Sequence, residues 1–219
     1  MLHSELKLTE DGSHTLYLPQ IDECYHSTYG AIQESVLIFI QYGLLSCTKK
    51  EINILEIGFG TGLNAFLTLA EADQKHFKVN YTGLEFHPIT IEKAILLNYP
   101  ELIAPTKRKE FERLHLCEWN KKIDITSQFL FKKTEADFTS GVLNTKYDII
   151  YFDPFSPEKQ PEMWTEEQFR KLYLASNKDA ILTTYCCKGN VKRALKSAGF
   201  LIEKLPGPAG KREVLRARV

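Results

Sequence analysis

Short runs of consecutive apolar residues alternate along the chain with segments whose apolar positions recur every three or four residues. Ile52-Asn53-Ile54-Leu55-Glu56-Ile57 and Tyr147-Asp148-Ile149-Ile150-Tyr151-Phe152 are the clearest runs. Their length and near-continuous apolarity predict strands covered on both faces, as in a parallel sheet. Stretches 79–84 and 180–185 read the same way, and 128–133 leads toward a further strand. Helix patterns lie between them: 63–70, a segment opening at Pro88 and running through Ala94, 165–175 and 191–198. Thr165 and Gln168 have capping-box spacing, and Gly199 closes the last helix. Strands 200–203 and 213–217 end the chain. This order predicts an α/β fold with a doubly wound, mostly parallel sheet and an antiparallel C-terminal strand. Residues 1–219 are expected to form a single domain, with 46–219 as its core and 1–45 as an extension. The extension reads as a hairpin around Asp11-Gly12, an appendage to the main core, followed by a helix over 31–45. Between 99 and 137 the pattern is less regular, and the alternation in 113–117 and 122–126 predicts a second hairpin.

Composition narrows the class. With 219 residues, 43% apolar and 26% charged, the chain can bury one core of ordinary size. No apolar stretch reaches membrane-spanning length, and Met1-Leu2-His3-Ser4-Glu5 lacks the features of a signal peptide, so a soluble cytoplasmic protein without membrane contact is expected. Cys24, Cys47, Cys117, Cys186 and Cys187 have no C-x-x-C spacing and include an adjacent pair. They read as reduced thiols, mostly buried, with neither a disulfide framework nor a metal site. Net charge is zero, yet the segment from Cys186 to Val219 holds nine basic residues and two acidic ones. That asymmetry fits a phosphate-contacting surface and equally a solvated helix face.

The chemistry begins at Glu56-Ile57-Gly58-Phe59-Gly60-Thr61-Gly62, where glycines at every second position follow a strand and precede a helix. Such a loop turns sharply and lets a ligand approach the backbone, which a Cβ would obstruct. A dinucleotide loop, G-x-G-x-x-G, would put its third glycine on Leu63, and no Gly-Lys-Ser/Thr follows for a Walker loop. The acidic-x-Gly-x-Gly-x-Gly pattern resembles the first motif of class I methyltransferases, which bind S-adenosyl-L-methionine. Glu85, at the tip of the second strand, is placed to accept hydrogen bonds from both hydroxyls of a ribose. Asp137 stands where the tip of a third strand would meet the adenine amino group, and Asp153 ends the run 147–152. All of these lie at carboxyl ends of strands, where open α/β sheets bind ligands.

Asp153-Pro154-Phe155 resembles the Asp-Pro-Pro-aromatic motif of amino-methylating enzymes, which implies an amine acceptor. The carboxylate would accept an N–H hydrogen bond and stabilise charge growing on nitrogen. An alkylamine with a pKa of about 10.4 must first lose its proton. Phe59, Phe155, Trp164 and Tyr185 could stack on adenine or an extruded base, but aromatics at sheet edges are more often core, which leaves Phe155 as the stacking candidate and His26 as a structural hydrogen-bonder.

A wider resemblance covers nearly everything from Tyr25 onward. Tyr25-His26-Ser27, Gly30-Ala31, Glu34-Ser35, the loop from Glu56 through Asn64, the stretch 153–165, Gly199-Phe200 and 207–214 look like the methyltransferase domain of the MnmC-type tRNA 5-methylaminomethyl-2-thiouridine enzymes. The resemblance implies a Rossmann-like class I methyltransferase fold and methylation of an aminomethyl group on the wobble uridine, with the tRNA anticodon region as partner. It also implies cofactor contacts from Glu56, Gly58, Phe59, Gly60, Thr61, Gly62, Asn64, Glu85, Asp137 and Asp153, with Asp153 holding the reactive amine. Phe155, Lys188, Lys211 and Arg212 are the corresponding substrate-side candidates. Two features depart from the family. The chain has no space for the flavin-dependent oxidase of two-domain members, and Pro154 stands where glycine is common. A small-molecule amine methyltransferase or polyamine-type alkyl transferase, and a non-catalytic cofactor- or RNA-binding subunit, are the alternative readings.

Overall fold

A computed structural model describes residues 3–219, so the part of the signal-peptide reading that concerns Met1 and Leu2 lies outside the described residues. Strands β1 (Glu5–Leu8), β2 (His14–Leu18) and β3 (Glu23–Cys24) form a small antiparallel sheet. Helix α1 (Ala31–Ser35) continues into a wider π-type turn over Val36–Gln41, and a 3-10 turn follows at Leu44–Ser46. The uninterrupted helix expected over 31–45 therefore breaks at its end. Gly43 lies so close to Phe39 that a Cβ there would sit 2.5 Å from the Phe39 carbonyl oxygen.

The main sheet follows the predicted alternation. It contains β4 (Glu51–Ile57), α2 (Leu63–Lys75), β5 (Lys78–Glu85), the short helices α3 (Ile91–Ala94) and α4 (Tyr99–Ile103), α5 (Arg108–Leu116), β6 (Ile123–Asp124) and β7 (Phe129–Glu135). Then come β8 (Tyr147–Phe152), α6 (Glu166–Leu174), β9 (Ser176–Thr184), α7 (Gly189–Ser197), β10 (Leu201–Pro206) and β11 (Glu213–Arg218). Strand order is β10-β11-β9-β8-β4-β5-β7-β6. The five central strands are parallel, whereas β6, β11 and β10 pair antiparallel at the two sides. This is the Rossmann-like doubly wound sheet expected. From β4 the chain moves outward through β5 and β7, then returns to β8 on the other side, so the order reverses between β4 and β8.

Alternation along these strands divides the core. Ile52, Ile54, Ile149 and Tyr151 face one layer with α2, α5 and the π-type turn. Leu55, Ile57, Ile150 and Phe152 face the other, with α6 and α7. Both faces are covered, which is why β8 is buried at every position.

Several local expectations are corrected. Residues 113–117 are not a strand, because Phe111, Leu114 and His115 fall on one buried helical face of α5. The guanidinium of Arg113 donates to the carbonyls of Asp124 and Ile125, and the antiparallel partner of β6 is β7. The helix expected from Pro88 starts at Ile91, with Thr90 as its N-cap. Thr165 does cap α6, accepting from Gln168 N, but the Gln168 side chain donates to the Thr139 carbonyl, so the reciprocal half of the box is missing. The N-terminal sheet is no appendage: Leu16 is fully buried in the core. Asn98 ties the sheet down by accepting from His14 N at 2.8 Å and donating to the Gly12 carbonyl at 2.8 Å. Of the five free thiols only Cys186 is fully buried, and the other four are half-buried. Among the described residues no helix is long and apolar enough to cross a membrane.

At the amino ends of the central strands, Asp148 is 3% exposed. Burial opposes its charge. Hydrogen bonds from Lys49, from Asn53 N at 2.9 Å and from Asn177 Nδ2 at 2.7 Å outweigh that and hold its carboxyl below the ordinary value. Asp148→Ala strands the Asn53 N–H and should cost about 2–3 kcal/mol, read as a lower midpoint in urea unfolding. In the unaltered protein this contribution is present above the unfolded carboxyl value of about 3.9 and fades as pH falls through the depressed folded value.

Candidate active site

Because the strand order reverses at β4 and β8, their carboxyl ends open a crevice between them. A cleft of about 860 Å³ lies there, and Gly58, Gly60, Glu85, Asp137, Asp153, Phe155 and Lys211 line it. The other sequence candidates lie elsewhere. Glu56, Phe59, Thr61, Gly62 and Asn64 are buried within the loop or beneath it, outside the cleft lining. Lys188 and Arg212 are exposed and also outside it.

The glycine loop is held from both sides. Gly58 and Gly60 have φ of +88° and +50°, in the left-handed region that favours glycine. A Cβ on Gly58 would sit 2.6 Å from the Asp153 carbonyl oxygen, and one on Gly60 would sit 3.0 Å from the Tyr25 ring. Glu85 accepts from Gly60 N at 2.8 Å and from His87 N at 2.7 Å, which fixes its carboxylate at the rim while leaving lone pairs free. Below the loop, His115 donates from Nε2 to the Thr61 carbonyl at 3.1 Å. Burial, aided by the nearby Lys133 charge, drops its pKa to about 3, so the ring is neutral at physiological pH. Local pattern does not single out this residue, because the alternation over 113–117 predicts a strand where α5 forms.

Asp153 sits half-buried on the cleft floor, its position set by the chain immediately before it. Asp153 N donates to the Ile57 carbonyl at 3.0 Å, continuing the β4–β8 ladder. Asn64 Nδ2 bridges Asp153 Oδ2 at 2.9 Å and Glu56 Oε1 at 3.0 Å. Complete burial raises the Glu56 carboxyl well above its ordinary range. Asp153 is pushed up to about 8, chiefly by burial, with Asn64 and Lys211 opposing and the Glu34 charge reinforcing. Asp137 differs: hydrogen bonds from Thr139 hold it below the ordinary value.

The roof comes from both ends of the chain. The Tyr25 ring meets Phe155 edge-on at 5.1 Å, and Ser156 Oγ donates to Glu23 at 3.3 Å. Trp164 Nε1 donates to the Phe155 carbonyl at 2.8 Å and belongs to the core. Tyr185 lines the cleft and donates to the Pro154 carbonyl at 2.9 Å. His26, lowered to about 4 by burial, lies between the hydroxyls of Thr15 and Thr61. Tyr25, Glu34 and Tyr185 are cleft residues that motif reading did not assign. For Tyr185 the signal was present, since it follows an apolar run at a strand's carboxyl end.

Comparison with known proteins bears on this geometry. A family described as S-adenosyl-L-methionine-dependent methyltransferase matches residues 102–219, which include Asp137 and Asp153. The tRNA 5-methylaminomethyl-2-thiouridine biosynthesis bifunctional protein MnmC of Azoarcus sp. (strain BH72) is 30% identical over 234 residues, covering 98% of this chain and 35% of that protein. The chain thus spans about a third of the length of such relatives. The crystal structure of MNMC2 from Aquifex aeolicus superposes with a TM-score of 0.79 at 26% identity, covering 99% of this chain and 70% of that one. Spermidine synthase from Thermotoga maritima shares the fold at 12% identity and a TM-score of 0.55, with coverage of 99% and 71%.

Gly60→Val places a branched side chain at a positive φ and against Tyr25. It should abolish S-adenosyl-L-methionine binding in titration calorimetry while the far-ultraviolet circular dichroism stays native; ordinary affinity would contradict the role of the loop.

Proposed function

The chain belongs to the family of S-adenosyl-L-methionine-dependent methyltransferases, and from that premise we propose that it methylates the aminomethyl nitrogen of 5-aminomethyl-(2-thio)uridine at the tRNA wobble position. The observation that carries this reading is the Asp153 carboxyl, fixed by Asn64 beside the glycine loop in a cleft walled by Tyr25, Phe155 and Tyr185. The MnmC names of relatives that align along almost the whole chain support the same acceptor.

The residues fit the cofactor. Gly58 and Gly60 adopt the positive φ that turns the loop and present their backbone to the cleft, Glu85 offers acceptors to ribose hydroxyls, and Asp137 offers one to the adenine amino group. Glu56, Phe59, Thr61, Gly62 and Asn64 act from below by fixing the loop. When bound, S-adenosyl-L-methionine supplies an electrophilic methyl group on a cationic sulfonium. Asp153 accepts an N–H of the acceptor and stabilises the charge that grows on nitrogen. Phe155 and Tyr25 close over the reacting atoms and limit water.

The tRNA surface is narrower than the basic C-terminus implied. Lys188 pairs with Glu158, Lys204 with Glu213, Lys211 with Glu34, and Arg216 and Arg218 with Glu203. Lys192, Arg193 and Lys196 on α7, together with exposed Arg212, form no such pair among the described residues and are the cations left for phosphates. Lys188 contributes at the rim, because its partner Glu158 lies on the loop that carries Lys159 and Gln160 into the cleft.

With no cationic ligand bound, Asp153 holds its proton up to about pH 8. A cationic ligand prefers the ionised form, so S-adenosyl-L-methionine affinity should rise with pH, by up to about tenfold per unit, and level off above about 8. S-adenosylhomocysteine, with a neutral sulfur, should show a shallower slope in the same calorimetry. Asp153→Ala should flatten that difference and reduce turnover by about 10²-fold or more while leaving cofactor binding largely intact.

The acceptor is tested by mass spectrometry of wobble nucleosides from cells with and without the chain. Deletion should accumulate unmethylated aminomethyl-uridine; an unchanged nucleoside profile would overturn the tRNA reading and favour a small free amine.

A further inference from the structure

The acceptor half of the cleft holds charges that the transfer itself does not require. Glu34, whose side chain is 10% exposed, accepts from Ser27 N at 3.2 Å and from Lys211 Nζ. Lys211 Nζ also lies 4.4 Å from the centroid of the Tyr185 ring, whose hydroxyl is bonded to the carbonyl next to Asp153. The loop that delivers Lys211 is built for that approach. Gly210 has φ of +79°, and a Cβ there would lie 2.4 Å from the Tyr29 ring. Lys211 N donates to the Pro208 carbonyl and Gly207 N to the Arg212 carbonyl, closing the turn.

The charges facing this point are few. Glu34 comes from α1, Asp153 from the end of β8, Glu23 from β3 and Lys159 from the opposite rim, with neutral His26 and Tyr185 beside them. Glu34 and Lys211 both act on Asp153, in opposite senses. Glu23 already accepts from Ser156. If Lys211 were absent, Glu34 would stand uncompensated beside Asp153, and once the cationic cofactor had ionised Asp153 the acceptor would meet two carboxylates. Two carboxylates hold an ammonium tightly, and an ammonium has no lone pair to react.

We propose that Lys211 is a positioning residue that cancels the charge of Glu34, so that Asp153 alone faces the acceptor and the amine is admitted without its proton. The inference rests on the reading of the acceptor as a primary amine. The ammonium loses its proton to solvent on entering, and the nitrogen lone pair forms the new bond to carbon as the bond from carbon to sulfur breaks. The nitrogen is then positive, and the neutral Glu34–Lys211 pair does not retain the product. Sequence placed Lys211 near substrate but gave it no such partner, because Glu34 lies far from it along the chain.

The test is the pH dependence of kcat and KM with tRNA bearing 5-aminomethyluridine, for the unaltered protein and for Lys211→Met, Lys211→Arg, Glu34→Gln and the Glu34→Gln/Lys211→Met pair. Lys211→Met should move the acidic limb of kcat alkaline by about one unit, an approximately tenfold loss at neutral pH, while KM stays level or falls. Lys211→Arg should keep the original profile, and the double variant, again charge-balanced, should regain most of what Lys211→Met loses. An unshifted limb in Lys211→Met, or a double variant no better than the single, overturns the proposal, since a purely structural lysine would give those results. Circular dichroism and cofactor affinity report whether each variant is folded. If Lys211→Met does not fold, Glu34→Gln carries the test: it leaves an unbalanced cation and should raise KM while shifting the limb toward acid, and a limb that stays in place counts against the proposal. No methylation by the unaltered protein at any pH would instead remove the acceptor reading on which the inference stands.

Discussion

Everything at the cleft depends on how closely the chain ends of β4 and β8 approach each other. The two strands are parallel neighbours, and Asp153 N extends their ladder to the Ile57 carbonyl. That contact leaves no volume at Gly58 for a Cβ, since the Asp153 carbonyl oxygen already occupies the space. One steric constraint thus joins the glycine loop to the residue proposed to face the acceptor. Asn64, on the first turn of α2, adds a polar link by donating to Asp153 and to Glu56. A shift of either strand would move both halves of the site.

A second constraint is electrostatic. The floor beneath the loop is buried, and its ionisable groups are shifted toward their neutral forms: burial raises Glu56 and lowers His115. Asp153 lies at the edge of this region, where its proton is held near neutrality and an incoming cation can displace it. The roof keeps that balance by enclosing the cleft with aromatic rings from the N-terminal segment and with Lys211 from the C-terminal loop. Ends of the chain far apart in sequence thereby meet over the central strands.

The fold was legible because the parallel sheet imposes a pattern that few other arrangements tolerate. Buried runs such as 147–152 must serve two core layers at once, and they announce themselves by continuous apolarity. Gly58, Gly60, Glu85, Asp137 and Asp153 were legible for a related reason, as each stands where a strand ends. The failures were local. Phe111, Leu114 and His115 form a helical stripe of only three residues, too short to outweigh the β-like alternation after Arg113. The role of the first 45 residues was hidden because Tyr25 and Glu34 bear no mark of contact with Phe155 and Lys211.

The alternation of the central strands with helices, the glycine loop after β4 and the position of the carboxylates at strand tips were determined by the sequence alone, because hydrophobic period and glycine spacing are local properties. Tertiary structure decided what surrounds those groups. The raised pKa of Glu56, the link through Asn64, the support of the loop by His115 and the pairing of Lys211 with Glu34 all require residues distant in sequence to meet. Burial and opposing charge set protonation, and both are fixed only when the separate segments pack together.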